Sequence, residues 1–163
     1  MSSAASARFR ASQAIDRDKW RDGIGYDLAA LDAMTAAERA GVEAELAARA
    51  TPDWRDLEAL ARLGGPTARQ AMQRALRHGD PGVRGAALRH GWSLLSDGER
   101  LLGIRRALEE ATLYNGLTEA LEAAEAFHPP AVVDLLLRAL LAREGAVAVH
   151  LAALLVFLHG QAD

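Results

Sequence analysis

The stretch Gly79-Asp80-Pro81-Gly82-Val83-Arg84-Gly85-Ala86-Ala87-Leu88 decides the fold of this 163-residue chain. Asp80 can accept hydrogen bonds from the free N–H groups of a first helical turn, and Pro81 has the fixed φ angle that suits the first helical position. From Val83 to Leu88, apolar side chains recur at helical spacing. The stretch therefore predicts an amphipathic helix that begins directly after Asp80.

Signals of the same kind mark further helices on both sides. Aspartates at helix starts, capping boxes, glycine turns and proline pairs divide the chain into alternating helices and short connections. These marks are Asp27, Thr35–Glu38, Asp53, Gly64–Thr67, Ser96–Glu99, Asn115-Gly116, Pro129-Pro130 and Glu144-Gly145. They predict four antiparallel helical hairpins and a closing helix from Ala146 to about His159, which is apolar on most sides and should be sandwiched between neighbours.

The chain also repeats itself. Trp20-Arg21-Asp22 recurs as Trp54-Arg55-Asp56, 34 residues later, and the segment 37–46 aligns with 67–76. A period between 20 and 50 residues is typical of helical solenoids, in which each unit buries its apolar face against its neighbours. Helix-favouring alanine and leucine dominate the composition, which agrees with an all-α fold.

The stretch at 79–88 resembles the aspartate, valine-arginine and alanine-alanine-x-leucine pattern of HEAT-like repeat proteins, a group that includes the lyase-type HEAT-like and ARM-type α-solenoids. The resemblance implies that Asp80 and Arg84 tie neighbouring repeats together and that Val83, Ala87 and Leu88 pack in the core. The expected fold is an all-α solenoid of about four antiparallel helix pairs plus a closing C-terminal helix. Residues 1–18 are expected to form a flexible N-terminal arm, and 19–163 a single HEAT-like domain.

Several kinds of chemistry find no support in the residues. The chain has no cysteine, which favours the cytoplasm and removes thiolate chemistry, and its five histidines include no i,i+4 pair. A Gly-x-Ser-x-Gly nucleophile motif is also missing from the sequence. We therefore expect no catalytic residues, no metal site and no cofactor, and we expect a non-enzymatic protein.

Candidate partner-binding residues fall into two groups. Trp20 and Tyr26 belong to a glycine-broken segment that the repeat scaffold does not need, and such a loop can contact a partner. By the resemblance, the second helix of each pair lines a concave groove, and its arginines would attract carboxylates or phosphates. These arginines are Arg69, Arg74, Arg77, Arg105, Arg106 and Arg138. Ordinary solvated helix positions are the alternative explanation of these arginines.

These observations favour a protein-binding module, either an adaptor or a bacterial immunity-type inhibitor, whose partner carries an acidic patch. One alternative is a nucleic-acid-binding, DNA-glycosylase-like HEAT protein, which the net charge of −3 disfavours. Another is a HEAT-like lyase or chaperone subunit for a tetrapyrrole. The longest apolar stretch, 146–158, is too short to span a membrane, and a homodimer through this C-terminal helix is a further expectation.

Overall fold

The computed structural model describes residues 3–160, and these residues contain eleven α-helices and no β-strand. The helices are α1 (Ala4–Ser12), α2 (Arg17–Arg21), α3 (Leu28–Asp32), α4 (Ala36–Ala47), α5 (Trp54–Leu63), α6 (Pro66–His78), α7 (Pro81–His90), α8 (Asp97–Glu110), α9 (Leu117–Ala126), α10 (Pro130–Ala142) and α11 (Gly145–Leu158). A short 3₁₀-helix, Trp92–Leu94, precedes α8. The prediction of an all-α fold is confirmed.

The helices contact one another in two successions. From α3 onward, each odd-numbered helix contacts the next odd-numbered one, and α4, α6, α8 and α10 contact one another in the same order. Consecutive helices such as α5 and α6 also pack together. Each helix is therefore stabilised mainly by near neighbours in the chain, which keeps most contacts local in sequence.

The N-caps of the first three odd-numbered helices in this succession show a regular period. The carboxylates of Asp27, Asp53 and Asp80 accept backbone hydrogen bonds at the starts of α3, α5 and α7, and these positions are 26 and 27 residues apart. Trp54 is the first residue of α5, whereas Trp20 lies in α2. The two tryptophan motifs, 34 residues apart, therefore do not occupy equivalent positions, and the aspartate caps mark the repeat instead.

The expected flexible N-terminal arm is largely helical. Residues Ala4–Ser12 form α1, which contacts α3, and Phe9 on its inner face is fully buried. The Phe9 ring meets the Tyr26 ring edge-on at a centroid distance of 5.8 Å. Helix α1 packs against the fold because burial of the large Phe9 ring removes apolar surface from water. One such residue is enough to hold an otherwise polar segment in place.

Arg84 joins three helices. The residue is 3% exposed, and its side chain donates hydrogen bonds to the backbone oxygens of Leu76 (3.1 Å) and Gly79 (2.9 Å) and to Oε2 of Glu110 (2.8 Å). It thereby connects the end of α6 to α7 and to the end of α8. Asp80 acts more locally, because its carboxylate accepts from the backbone of its own helix, α7.

The last helix is buried on one side only. Leu151 faces the core, whereas Val149, Val156 and Phe157 are exposed, so the expectation that this helix is sandwiched is wrong. The reason is that α11 contacts α9 and α10 but has no further described helix on its other side. None of the helices in the range 3–160 is both long enough and apolar enough to cross a membrane.

Candidate functional site

The structure separates the two aromatic candidates of the 20–27 segment. Trp20 lies on α2 with 71% of its surface exposed, whereas Tyr26 is buried. The Tyr26 hydroxyl donates to Oδ1 of Asp56 at 2.9 Å and accepts from Nη1 of Arg49 at 3.2 Å. Burial, and then the negative charge of Asp56, raises the pKa of Tyr26 to about 12, so the phenol is neutral at physiological pH. Tyr26 braces the fold, and only Trp20 is available at the surface.

Two of the candidate arginines bind groups of their own chain. Arg74 donates to the backbone oxygen of Ala47 at 2.7 Å, near the end of α4, and Arg69 on the same helix lies 3.5 Å from Oε2 of Glu99 on α8. Both contacts connect one even-numbered helix to its neighbour. The guanidinium groups of Arg69 and Arg74 therefore already have partners within the fold.

Arg106 and Arg77 are related in the same way. The Arg106 guanidinium donates to the backbone oxygen of Arg77, which joins α8 to the last turn of α6. The Arg77 side chain itself is exposed. Arg106 consequently serves the packing of neighbouring helices, as Arg69 and Arg74 do.

Arg105 and Arg138 come together at a cleft between α8 and α10. One cavity of about 390 Å³ and a second of about 450 Å³ share Arg105, Leu135 and Arg138 in their walls, so they form one elongated groove. We call this surface the α8–α10 groove. It is lined by Gly98, Leu101, Leu102, Arg105, Leu108, Glu109, Ala131, Asp134, Leu135, Arg138, Ala139, Ala142 and Arg143.

The groove combines apolar walls with a small positive balance. Arg105, Arg138 and Arg143 stand against Glu109 and Asp134, three positive charges against two negative, which gives +1. Arg105 and Arg138 are exposed at its centre, whereas the Arg143 guanidinium donates to a backbone oxygen. The centre of the groove therefore presents two available guanidinium groups between leucine side chains.

The sequence-based list contained the two arginines of the groove but missed its leucines. Leu101 and Leu102 precede Arg105 by four and three residues, and Leu135 precedes Arg138 by three. This shared spacing places leucine and arginine on one helix face in both helices. The signal was present in the sequence, but the pairing of α8 with α10 comes from tertiary packing.

Another cavity, of about 580 Å³, lies on the odd-numbered helices instead. Trp54 stacks on His90 at a centroid distance of 6.2 Å, and the Arg55 guanidinium covers the Trp54 ring at 4.5 Å. Burial lowers the pKa of His90, which favours the neutral imidazole. The carboxylates of Asp53 and Asp80 in its wall already cap α5 and α7. The Trp54–His90 stack thus connects α5 to α7, and the two aspartates are engaged at the starts of their own helices.

Comparison with known proteins adds no assignment. No family model, curated protein or solved structure matches the chain. Within residues 3–160, no three His, Asp or Glu side chains are arranged to hold a metal ion. The α8–α10 groove is accordingly selected as the candidate site on its own geometry and charge.

Proposed function

We propose that this chain is a protein-binding module whose α8–α10 groove holds an acidic segment of another protein. The observation that carries the proposal is the position of Arg105 and Arg138. Both are exposed and line the part of the groove that its two cavities share, whereas Arg69, Arg74 and Arg106 bind groups of the chain itself.

The chemistry of the groove suits a polypeptide. Exposed guanidinium groups form bidentate hydrogen bonds with carboxylates, and leucine walls gain free energy when a partner covers them. The groove follows α8 from Gly98 to Glu109, about 17 Å at 1.5 Å per residue, which matches roughly three turns of a bound helix. An amphipathic helix with acidic residues at its centre supplies carboxylates for the two arginines and apolar side chains for the leucine walls.

Nucleic acid is a poorer match for the same surface. The carboxylates of Asp134 and Glu109 would repel phosphates, and the groove has a balance of only +1. The two rows of helices and the 79–88 motif support a HEAT-like solenoid as the scaffold, and such scaffolds commonly serve as binding surfaces. An adaptor or immunity-type inhibitor in the cytoplasm, a location that the cysteine-free sequence favours, is the proposed role.

The test is copurification of the full chain from its native cells, followed by mass spectrometry and measured affinity for the recovered protein. We expect Arg105→Glu/Arg138→Glu to weaken that affinity at least tenfold, about 1.4 kcal/mol or more. The matched control, Arg17→Glu/Arg21→Glu, changes the net charge equally on the distant helix α2 and should bind like the unmodified chain.

Three results would argue against this function. The first is that no protein is recovered reproducibly, and the second is that both double variants bind the recovered protein with unchanged affinity. The third is that a labelled DNA duplex binds at low salt and is released steeply as salt rises. The last result would support the nucleic-acid alternative. An affinity loss confined to Arg105→Glu/Arg138→Glu would support the groove.

A further inference from the structure

We infer that the outer face of α11 binds the same face of a second copy of this chain, with the two α11 helices antiparallel. This surface is independent of the α8–α10 groove. The proposal rests on exposure, on charge and on an internal symmetry in the order of large and small residues.

Exposed apolar side chains are concentrated at this end of the molecule. Of the nine large apolar residues that are exposed within 3–160, five lie between positions 137 and 157. Leu141 on α10 is 87% exposed and Val149 on α11 is 66% exposed, and Val156 and Phe157 continue the α11 face. Such a concentration of exposed apolar side chains marks an interaction surface.

The absence of charge indicates what covers this face. The sequence of α11, GAVAVHLAALLVFL, contains no Asp, Glu, Lys or Arg, and His150 is its one ionisable side chain. A strongly charged partner would gain no ion pair here and would lose hydration. A second copy presents an equally neutral, apolar surface, and the isologous contact brings no fixed like charges together.

The exposed stripe is self-complementary in shape. Ala146, Val149, Ala153 and Val156 are all exposed and alternate in steps of three and four, the spacing of a helix–helix seam. When two such helices run antiparallel about a two-fold axis level with Leu151, position 146 lies opposite 156 and position 149 lies opposite 153. Every valine then faces an alanine of the other copy.

The contact should be reversible. A helix of 14 residues is about 21 Å long, so we expect one helix pair to bury less than the roughly 800 Å² per partner of a standard stable interface. Monomer and dimer should therefore exchange, and the dimer fraction should rise with protein concentration.

The experiment is sedimentation equilibrium of the full chain over a concentration series. We expect a species of twice the 17.4 kDa monomer mass to form as concentration rises. Val149→Lys alone and Ala153→Glu alone should each weaken the dimer at least tenfold, because each places an unpaired charge in the seam. Mixing these two variants should restore a heterodimer, because position 149 of one copy faces 153 of the other.

Controls separate association from folding and from groove binding. Tyr114→Lys adds the same positive charge as Val149→Lys, but at a 94% exposed site outside α11, and this variant should dimerise normally. Both α11 positions are exposed, so circular dichroism should show unchanged helix content in each variant. Arg105→Glu/Arg138→Glu should leave the dimer intact, which keeps the two surfaces distinguishable.

A monomer at every concentration would overturn the inference. So would dimers that persist in Val149→Lys and Ala153→Glu, since the contact would then lie elsewhere. Failure of the mixture to associate, with both single variants monomeric, would overturn the antiparallel register. A different protein captured through Val149 in place of a second copy would likewise count against it.

Discussion

The hydroxyl of Tyr26 donates a 2.9 Å hydrogen bond to Oδ1 of Asp56, thirty residues further along the chain. This bond connects the segment before α3 to the first turn of α5. Arg49, just beyond α4, donates to the same carboxylate, so three consecutive parts of the chain meet at Asp56. A glycine-broken segment that looked dispensable to the scaffold therefore contains one of its cross-braces.

Replacing Tyr26 with phenylalanine should lower the free energy of unfolding by about 1–2 kcal/mol, because the buried Asp56 carboxylate loses a donor. Urea denaturation followed by circular dichroism measures this change. Tyr114→Phe is the matched control at a 94% exposed site, and its effect should stay within about 0.5 kcal/mol. Equal effects of the two variants would contradict the brace.

The raised pKa of Tyr26 predicts that the chain loses stability at alkaline pH. Its pKa of about 12 in the folded chain exceeds the unfolded value of about 10. The folded state therefore holds the phenolic proton more tightly, and this contribution is complete below about pH 10 and disappears as pH rises towards 12. Melting temperatures at pH 9 and about pH 11.5 should differ less in Tyr26→Phe than in the unmodified chain. An identical pH dependence would refute this assignment.

Arg84→Met should destabilise the chain by about 3 kcal/mol, because two backbone oxygens at the end of α6, those of Leu76 and Gly79, lose a buried donor and Glu110 loses its cation. Arg89→Met on the same helix removes an exposed ion pair with Glu122 and should cost at most about 1 kcal/mol. Chemical denaturation of both variants provides the comparison. A small, equal loss would show that Arg84 does not fasten these helices.

Phe9→Ala tests whether α1 belongs to the folded domain. Removing a fully buried phenylalanine should cost about 3–5 kcal/mol, as large-to-small core substitutions do. Trp20→Ala changes an exposed aromatic residue and should alter stability by no more than about 0.5 kcal/mol. A flexible N-terminal arm would instead make Phe9→Ala nearly neutral, and thermal unfolding distinguishes the two cases.

The starts of the helices from α3 onward could be predicted because their causes are local. The capping boxes at Thr35–Glu38 and Ser96–Glu99, and the aspartate cap of α7, depend on side chains within three residues of the backbone groups that they bind. The role of Phe9 could not be predicted, since it depends on Tyr26, seventeen residues away. Hydrogen bonds between residues close in the chain can be predicted from the sequence. Burial cannot, because it depends on which distant residues the fold brings into contact.

The candidate site likewise has some features that can be read from the sequence and others that only helix packing determines. The sequence by itself determined which residues are arginines on helices, where the helices from α3 onward begin, and that α11 carries no fixed charge. Only the tertiary structure decided that Arg74 and Arg106 bind backbone oxygens of neighbouring helices while Arg105 and Arg138 remain available in a groove. The physical reason is that a guanidinium group binds whichever oxygen lies within reach, and helix packing alone sets that distance.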